Sequence, residues 1–322
     1  MKPSAKYRHA LPQLDGRLFL SDSGLETTLV FLDGVELPCF ASFPLVDDAD
    51  GAARLAEYFR RHVAIARAHG VGIVLESPTW RANPNWGRQL GYGPEALAHV
   101  NRRAIEQLVA LREACETPST PIVVSGNIGP AGDGYVADAR MGIDEAREYH
   151  APQVAAFADT AADMVAAFTL NYAEEAIGIA LAAKAAGMPL ALSFTVETDG
   201  MLPSGQALQD AIDLVEAQSG GYPAYYMINC AHPDHFAHTL RGLTTDTRLR
   251  IRGLRANASR RSHAELDAST DLDAGNPLEL ARDYARVREQ LPALNVVGGC
   301  CGTDHRHVEA IAAALAPGRK AA

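Results

Sequence analysis

At 322 residues the chain is long enough for one large domain or two modest ones. Hydrophobic residues make up 48% and charged residues 21%, and 29 Lys and Arg stand against 39 Asp and Glu, a formal charge of −10. That balance repels a polyanion, and the one basic cluster, "SRRSH" from Ser259, is too short to oppose it, so no nucleic-acid partner is expected. The amino-terminal "MKPSAKYRHALPQL" has no apolar core of signal-peptide length, and no run approaches the roughly eighteen apolar residues of a membrane span. The expectation is a cytoplasmic protein without a membrane partner, its thiols reduced. Five cysteines, an odd number, then read as metal ligands, a nucleophile or filler rather than as a disulfide framework.

Short β-rich apolar runs alternate with amphipathic helical stretches along the whole chain. The first four strands are "RLFLSDSG" from Arg17, "VGIVLES" from Val71, "PIVVSGNIG" from Pro121 and "DMVAAFTL" from Asp163. Four more are "PLALSFTVE" from Pro189, "AYYMINCAH" from Ala224, "LRIRGLRANA" from Leu249 and "LNVVGGCCG" from Leu294. Helical periodicity lies between them, as in "AARLAEYFRRHVAIARAHG", with Leu55, Phe59, Val63 and Ala66 on one face. In "NPLELARDYARVREQL", Asn276 is the N-cap, Pro277 the first helical residue, and Leu280, Tyr284, Val287 and Leu291 the apolar stripe. After the last strand, "TDHRHVEAIAAALA" predicts a helix capped by Thr303. Eight strands of near-continuous apolar character, each followed by a helix, predict a parallel sheet closed into a single (β/α)8 TIM barrel, one domain over residues 1–322. Long connections follow strand 1 (residues 25–51) and strand 2 ("PTWRANPNWGRQLGYGP"), and loops of that length on a barrel are usually functional.

A barrel builds its active site at the carboxyl ends of the strands. The polar residues there are Asp22, Glu76, Asn127, Glu197, Asn229, Cys230, Asn257, Cys300 and Cys301. Strands 6 and 8 are separated by one neighbour, so Cys230 can meet Cys300 and Cys301. Gly298, Gly299 and Gly302 are expected to give the backbone freedom that turns both adjacent sulfurs to one side. Three thiolates with no fourth protein ligand nearby make a Zn2+ site with an open, catalytic position, and soft sulfur selects zinc over magnesium or calcium. The bland alternative is that these cysteines are small buried hydrophobes.

"GGCCGTDHRHVEAI" and "MINCAHP" are similar to the signature segments of the homocysteine S-methyltransferase family, and "LSDSGLETTL" and "VLESPTW" resemble its first two strands. Ser23 stands where that family has glycine, and Ala256 in "RANASR" stands where it has proline. The resemblance implies that Cys230, Cys300 and Cys301 bind zinc and carry the catalysis, with the substrate thiol as fourth ligand. It implies that Asp22 contacts the amino group of homocysteine and that Glu76 and Asn229 line the pocket. The partners it implies are a small-molecule thiol and a methyl donor, expected to be a small cationic compound because the barrel leaves no second domain for a corrinoid. The chain departs from the family at strand 4, where "AFTLNY" puts Phe168 in place of the glutamate that holds the ammonium. Glu26 and Glu197 are the candidates to replace that charge.

Other residues take plainer readings. Cys39 and Cys115 have no partner at ligand spacing and read as filler or surface thiols. His305 and His307 diverge on a helix and read as surface or capping residues. His232 and His235 follow Cys230 and are candidates for a contact behind the metal or with substrate. Trp80 and Trp86 either pack a lid or face a cationic donor by cation–π attraction. The glycines after strand 8 could instead cradle a phosphate, a reading that leaves the cysteines unexplained. Two rival functions remain open: a zinc hydrolase using Glu76 or Glu197 as base, and a metal- or thiol-binding protein without turnover. Self-association to a homo-oligomer is left open.

Overall fold

The computed structural model describes residues 4–137, 139–269 and 271–316; the ends of the 1–322 domain assignment lie outside them. Eight parallel strands close into a barrel in sequence order. They are β1 (Phe19–Leu20), β2 (Gly72–Glu76), β3 (Ile122–Ile128), β4 (Met164–Leu170), β5 (Leu190–Phe194), β6 (Tyr225–Asn229), β7 (Ile251–Ala256) and β8 (Val296–Gly299). Although β1 is only two residues long, it closes the ring, because Phe19 pairs with Gly72 on one side and Val296 on the other. This is the barrel that the strand count predicts.

The eight principal helices are α1 (Ala49–His69), α2 (Pro94–Cys115), α3 (Ile143–Ala158), α4 (Ala173–Ala186), α5 (Leu208–Ser219), α6 (Thr245–Arg250), α7 (Pro277–Gln290) and α8 (His305–Leu315). Strand alternation explains the continuous apolar runs. Val74, Val123, Met164, Ala166 and Phe168 point into the barrel, while Ile73, Leu75, Val124, Val165 and Ala167 face the helices. Each fully buried large side chain contributes roughly 1.5–3 kcal/mol of transfer free energy. The segment before β1 covers the amino end of the barrel: Leu11 joins the inner cluster, and the Tyr7 N–H donates to Asp163 Oδ1 at 2.7 Å.

Asn276 caps α7 as expected, accepting from Leu278 N and Glu279 N. The cap of α8 differs from expectation. Asp304 fills that place, in a capping box with His307, while the Thr303 hydroxyl is turned to other partners, accepting from the Gly24 N–H and donating to the Cys300 carbonyl. His307 thus has the capping role open to it, while its Nε2 donates to the Ala274 carbonyl. The long connections are folded into short turns of helix, among them Phe43–Val46 after β1 and Pro84–Gln89 after β2. No helix among the described residues is long and apolar enough to cross a membrane.

Candidate active site

A cavity of about 420 Å³ opens at the carboxyl ends of the strands. Its lining includes Asp22, Glu26, Glu76, Asn127, Asn229, Cys230, Asn257, Cys300 and Cys301 from the predicted set, together with Phe168. The ligand atoms of Cys230, Cys300 and Cys301 lie within 4.8 Å of one another. Cys230 Sγ and Cys301 Sγ are 3.8 Å apart, and Cys230 and Cys300 are joined as a disulfide. That bond departs from the expectation of reduced thiols. Strands β6 and β8 aim their sulfurs at one point, where two of them come within bonding contact. It is one bridge at a site, with Cys39, Cys115 and Cys301 free, and not a framework. Burial pushes the Cys301 thiol up.

The backbone around the cysteines is fixed from several sides. Cys230 has φ 54°, a conformation a non-glycine residue adopts only when its surroundings enforce it. Its N–H donates to the Arg255 carbonyl, and its carbonyl accepts from Asn257 Nδ2 at 2.9 Å and from His263 Nε2. The Cys300 N–H donates to the Ala256 carbonyl, and the Cys301 carbonyl accepts from the Ala258 N–H. The glycines act differently from the expectation. Of the three, only Gly302 is left-handed, with φ 78°; Gly298 and Gly299 are needed for close approach. A Cβ on Gly298 would stand 2.1 Å from Ser21 Oγ, and one on Gly299 would stand 2.1 Å from Thr303 Oγ1.

The predicted substrate residues prove unequal. Asn229 lines the cavity, but its amide is engaged by the protein. Oδ1 accepts from Thr169 N and Ser193 Oγ, and Nδ2 donates to Thr169 Oγ1 at 2.9 Å. It thereby holds Thr169 at φ 62°. Glu197 is not among the lining residues; its Oε1 pairs with His263 Nδ1 at 2.8 Å. Burial opposes charge on His263, yet the hydrogen bonds to Glu197 and the Cys230 carbonyl outweigh it and raise its pKa. Burial raises the pKa of Glu76 to about 7 and also raises that of Glu26, whose Oε1 accepts from Ser42 Oγ at 2.7 Å. Asp22 is paired with Arg255 at 2.7 Å and accepts from Tyr58 Oη at 3.1 Å.

Neither His232 nor His235 lines the cavity. His232 caps the turn at Pro233–Phe236, and His235 Nε2 donates to the Arg260 carbonyl. Trp80 lines the cavity, and the cation on the tryptophans is the protein's own: Arg81 lies 4.9 Å from the Trp80 ring and 3.9 Å from that of Trp86. Arg260 and Arg261 of the basic cluster pair with Asp234 and Asp273.

Three site residues escaped the sequence reading. Tyr135 follows β3 and donates its hydroxyl to Cys230 Sγ at 3.3 Å; it stands 3.7 Å from Cys301 Sγ. Tyr135 is thus a hydrogen-bond donor beside the sulfurs and not a fourth ligand of the kind that the three cysteines supply. His263 stacks on Tyr135 with ring centroids 4.2 Å apart. Arg255 ends β7 beneath the cavity. Only the polar strand end of "GLRANA" hinted at Arg255; Tyr135 and His263 lie on segments without periodicity.

The family model described as homocysteine S-methyltransferase matches residues 33–315. A homocysteine S-methyltransferase of Escherichia coli (strain K12) is 28% identical over 224 residues, covering 66% of this chain and 69% of the relative. The oxidized form of the E. coli homocysteine methyltransferase MmuM superposes with a TM-score of 0.72 at 21% identity, covering 94% of this chain and 97% of that one. Its metallated form gives 0.71 at 21% identity, covering 93% and 97%. At that identity the superpositions speak for the shared fold, and the family match spans most of the sequence. The chain is a methyltransferase that belongs to the homocysteine S-methyltransferase family.

Proposed function

We propose that the protein moves a methyl group from a small cationic donor, of sulfonium or betaine type, to the sulfur of homocysteine or a related thiol, with Zn2+ held by Cys230, Cys300 and Cys301. The observation that carries this reading is the convergence of three cysteine sulfurs within 4.8 Å in the cavity of a chain from this family. The donor set fits zinc. The 3.8 Å between Cys230 Sγ and Cys301 Sγ is close to the edge of a tetrahedron with Zn–S bonds of about 2.3 Å. Metal and disulfide use the same sulfurs, so the Cys230–Cys300 pair has to be reduced for the metal to bind. When bound, zinc favours the deprotonated form of a thiol that joins it, supplying a nucleophilic sulfur at neutral pH.

The chain's own residues do the rest. The bonds to the Cys230 and Cys301 carbonyls hold the sulfurs in place. Tyr135 Oη donates to Cys230 Sγ and moderates its charge. Phe40 and Phe168 keep part of the lining apolar, which limits water. Asp133, Asp267 and Asp271 give the wall a negative rim that attracts a cationic donor. In the transfer, the bond from thiolate sulfur to methyl carbon forms as the carbon's bond to the donor's positive sulfur or nitrogen breaks. The released electron pair neutralises the donor. Holding both molecules in one cavity supplies proximity and in-line orientation.

The test is a panel of thiols and donors incubated with reduced, zinc-loaded protein and read by mass spectrometry. Methylated thiol and demethylated donor are expected in equal amounts. A hydrolysis product, or transfer from methyltetrahydrofolate or methylcobalamin alone, contradicts the reading.

A further inference from the structure

Arg255 is the buried cation at the floor of the cavity, 7% exposed at the end of β7. Its Nε donates to the Gly299 carbonyl at 3.0 Å and its Nη2 to the Ser23 carbonyl at 2.9 Å. Nη1 stands 2.7 Å from Asp22 Oδ1. The guanidinium therefore ties together the ends of β1, β7 and β8, and it cannot swing aside without losing all three partners. Asp22 is less fully engaged: its Oδ1 faces Arg255 as an ion pair and has no hydrogen-bond partner of its own. Its other oxygen accepts from Tyr58, and the residue is 2% exposed.

An ammonium group seeking Asp22 would meet a carboxylate already neutralised, with a like charge fixed against it and little water to screen the two. Phe168 lies on the guanidinium, its ring centroid 5.1 Å away, and presents no hydrogen-bond acceptor from its side chain. Glu76, raised by burial to about 7, is part protonated at neutral pH and so a weak counter-ion. Glu26 is buried against Ser42 and shifted the same way. The floor beside the sulfurs is thus suited to a ligand end that carries no positive charge.

Resting on the thiol-methylating reading above, we propose that the acceptor is an amine-free alkylthiol, with Arg255 as the residue that determines this specificity and Phe168 as its apolar companion. An incoming ammonium loses its counter-ion, whereas an amine-free thiol keeps its sulfur and apolar stem and leaves the Arg255–Asp22 pair intact.

The test uses two thiols that differ only in the amine: homocysteine and its deaminated counterpart 4-sulfanylbutanoate. Their binding to the reduced, zinc-loaded protein is measured by calorimetry, and kcat/KM is measured for each. In the wild type the amine-free thiol is expected to bind at least about tenfold more tightly. Arg255→Met, which leaves Asp22 free to meet an ammonium, should reduce that ratio about tenfold, and Arg255→Lys should largely preserve it. Should Arg255→Met fail to fold, Phe168→Glu, which keeps the guanidinium bonds, should move the ratio in the same direction. Homocysteine binding as tightly as 4-sulfanylbutanoate in the wild type overturns this inference while leaving thiol methylation standing. Failure of both thiols to bind and react overturns the two readings together.

Discussion

The phenol oxygen of Tyr135 stands 3.3 Å from Cys230 Sγ, and its ring stacks on His263, the residue that holds the Cys230 carbonyl. One loop side chain thus approaches the sulfur while its stacking partner fixes the same residue's backbone. Loss of a supporting hydrogen bond of this kind typically costs about 10- to 100-fold in metal affinity. Tyr135→Phe is therefore expected to weaken zinc binding by about tenfold, read by competition with a chelator, with little change in melting temperature. Unchanged affinity would show that the hydroxyl does not support the sulfurs.

Gly298 makes a stability prediction that is separate from chemistry. An added Cβ would stand 2.1 Å from Ser21 Oγ and 2.5 Å from the Asp22 carbonyl oxygen, and β1 has few residues with which to yield. Gly298→Ala should cost roughly 1–3 kcal/mol by overpacking. Gly132, with nothing within 4 Å of its added Cβ, is the control. Its alanine variant should stay within about 0.5 kcal/mol of wild type. Urea denaturation of the two variants measures the contrast, and equal losses contradict the packing argument.

The dependence on acid follows from buried histidines. Burial depresses the pKa of His232 to about 4 and lowers that of His62. Because the unfolded chain takes up these protons near pH 6.5 and the folded chain resists them, their contribution to stability is present above about 6.5 and falls as pH drops toward 4. His232→Asn keeps an acceptor at the cap position, where the wild-type Nδ1 accepts from Asp234 N. This variant should lose less stability than wild type between pH 7.5 and 5, measured by denaturation midpoints. Parallel losses would mean that His232 is not a source of the acid sensitivity.

The barrel was legible because each strand is apolar on both faces and each connection carries helical periodicity. Val74 inside and Ile73 outside the ring are one instance. The cysteines were legible because "NC" and "GGCCG" fall at strand ends, which a barrel gathers at one mouth. The Arg255–Asp22 pair was not, because β1 and β7 meet only through β8, and strand periodicity does not say which charged ends will neutralise each other. Glu197 shows the same limit. It sits after a strand end as expected, yet its carboxylate turns to His263, a residue supplied by a later loop. The α8 cap falls on Asp304 and not Thr303, two good cap residues side by side, because Thr303 accepts from Gly24, a residue after β1 that the helix's own sequence does not indicate.

The most direct test of the account is metal analysis of reduced protein, comparing wild type with Cys230→Ala, Cys300→Ala and Cys301→Ala. The hydrophobic layers of the barrel are built without the three sulfurs, so the variants should keep their circular dichroism and cooperative melting. The account predicts about one zinc per chain in the wild type, with zinc and methyl transfer lost together in each variant. Reduced wild-type protein that binds no zinc, or variants that retain it, would contradict the account.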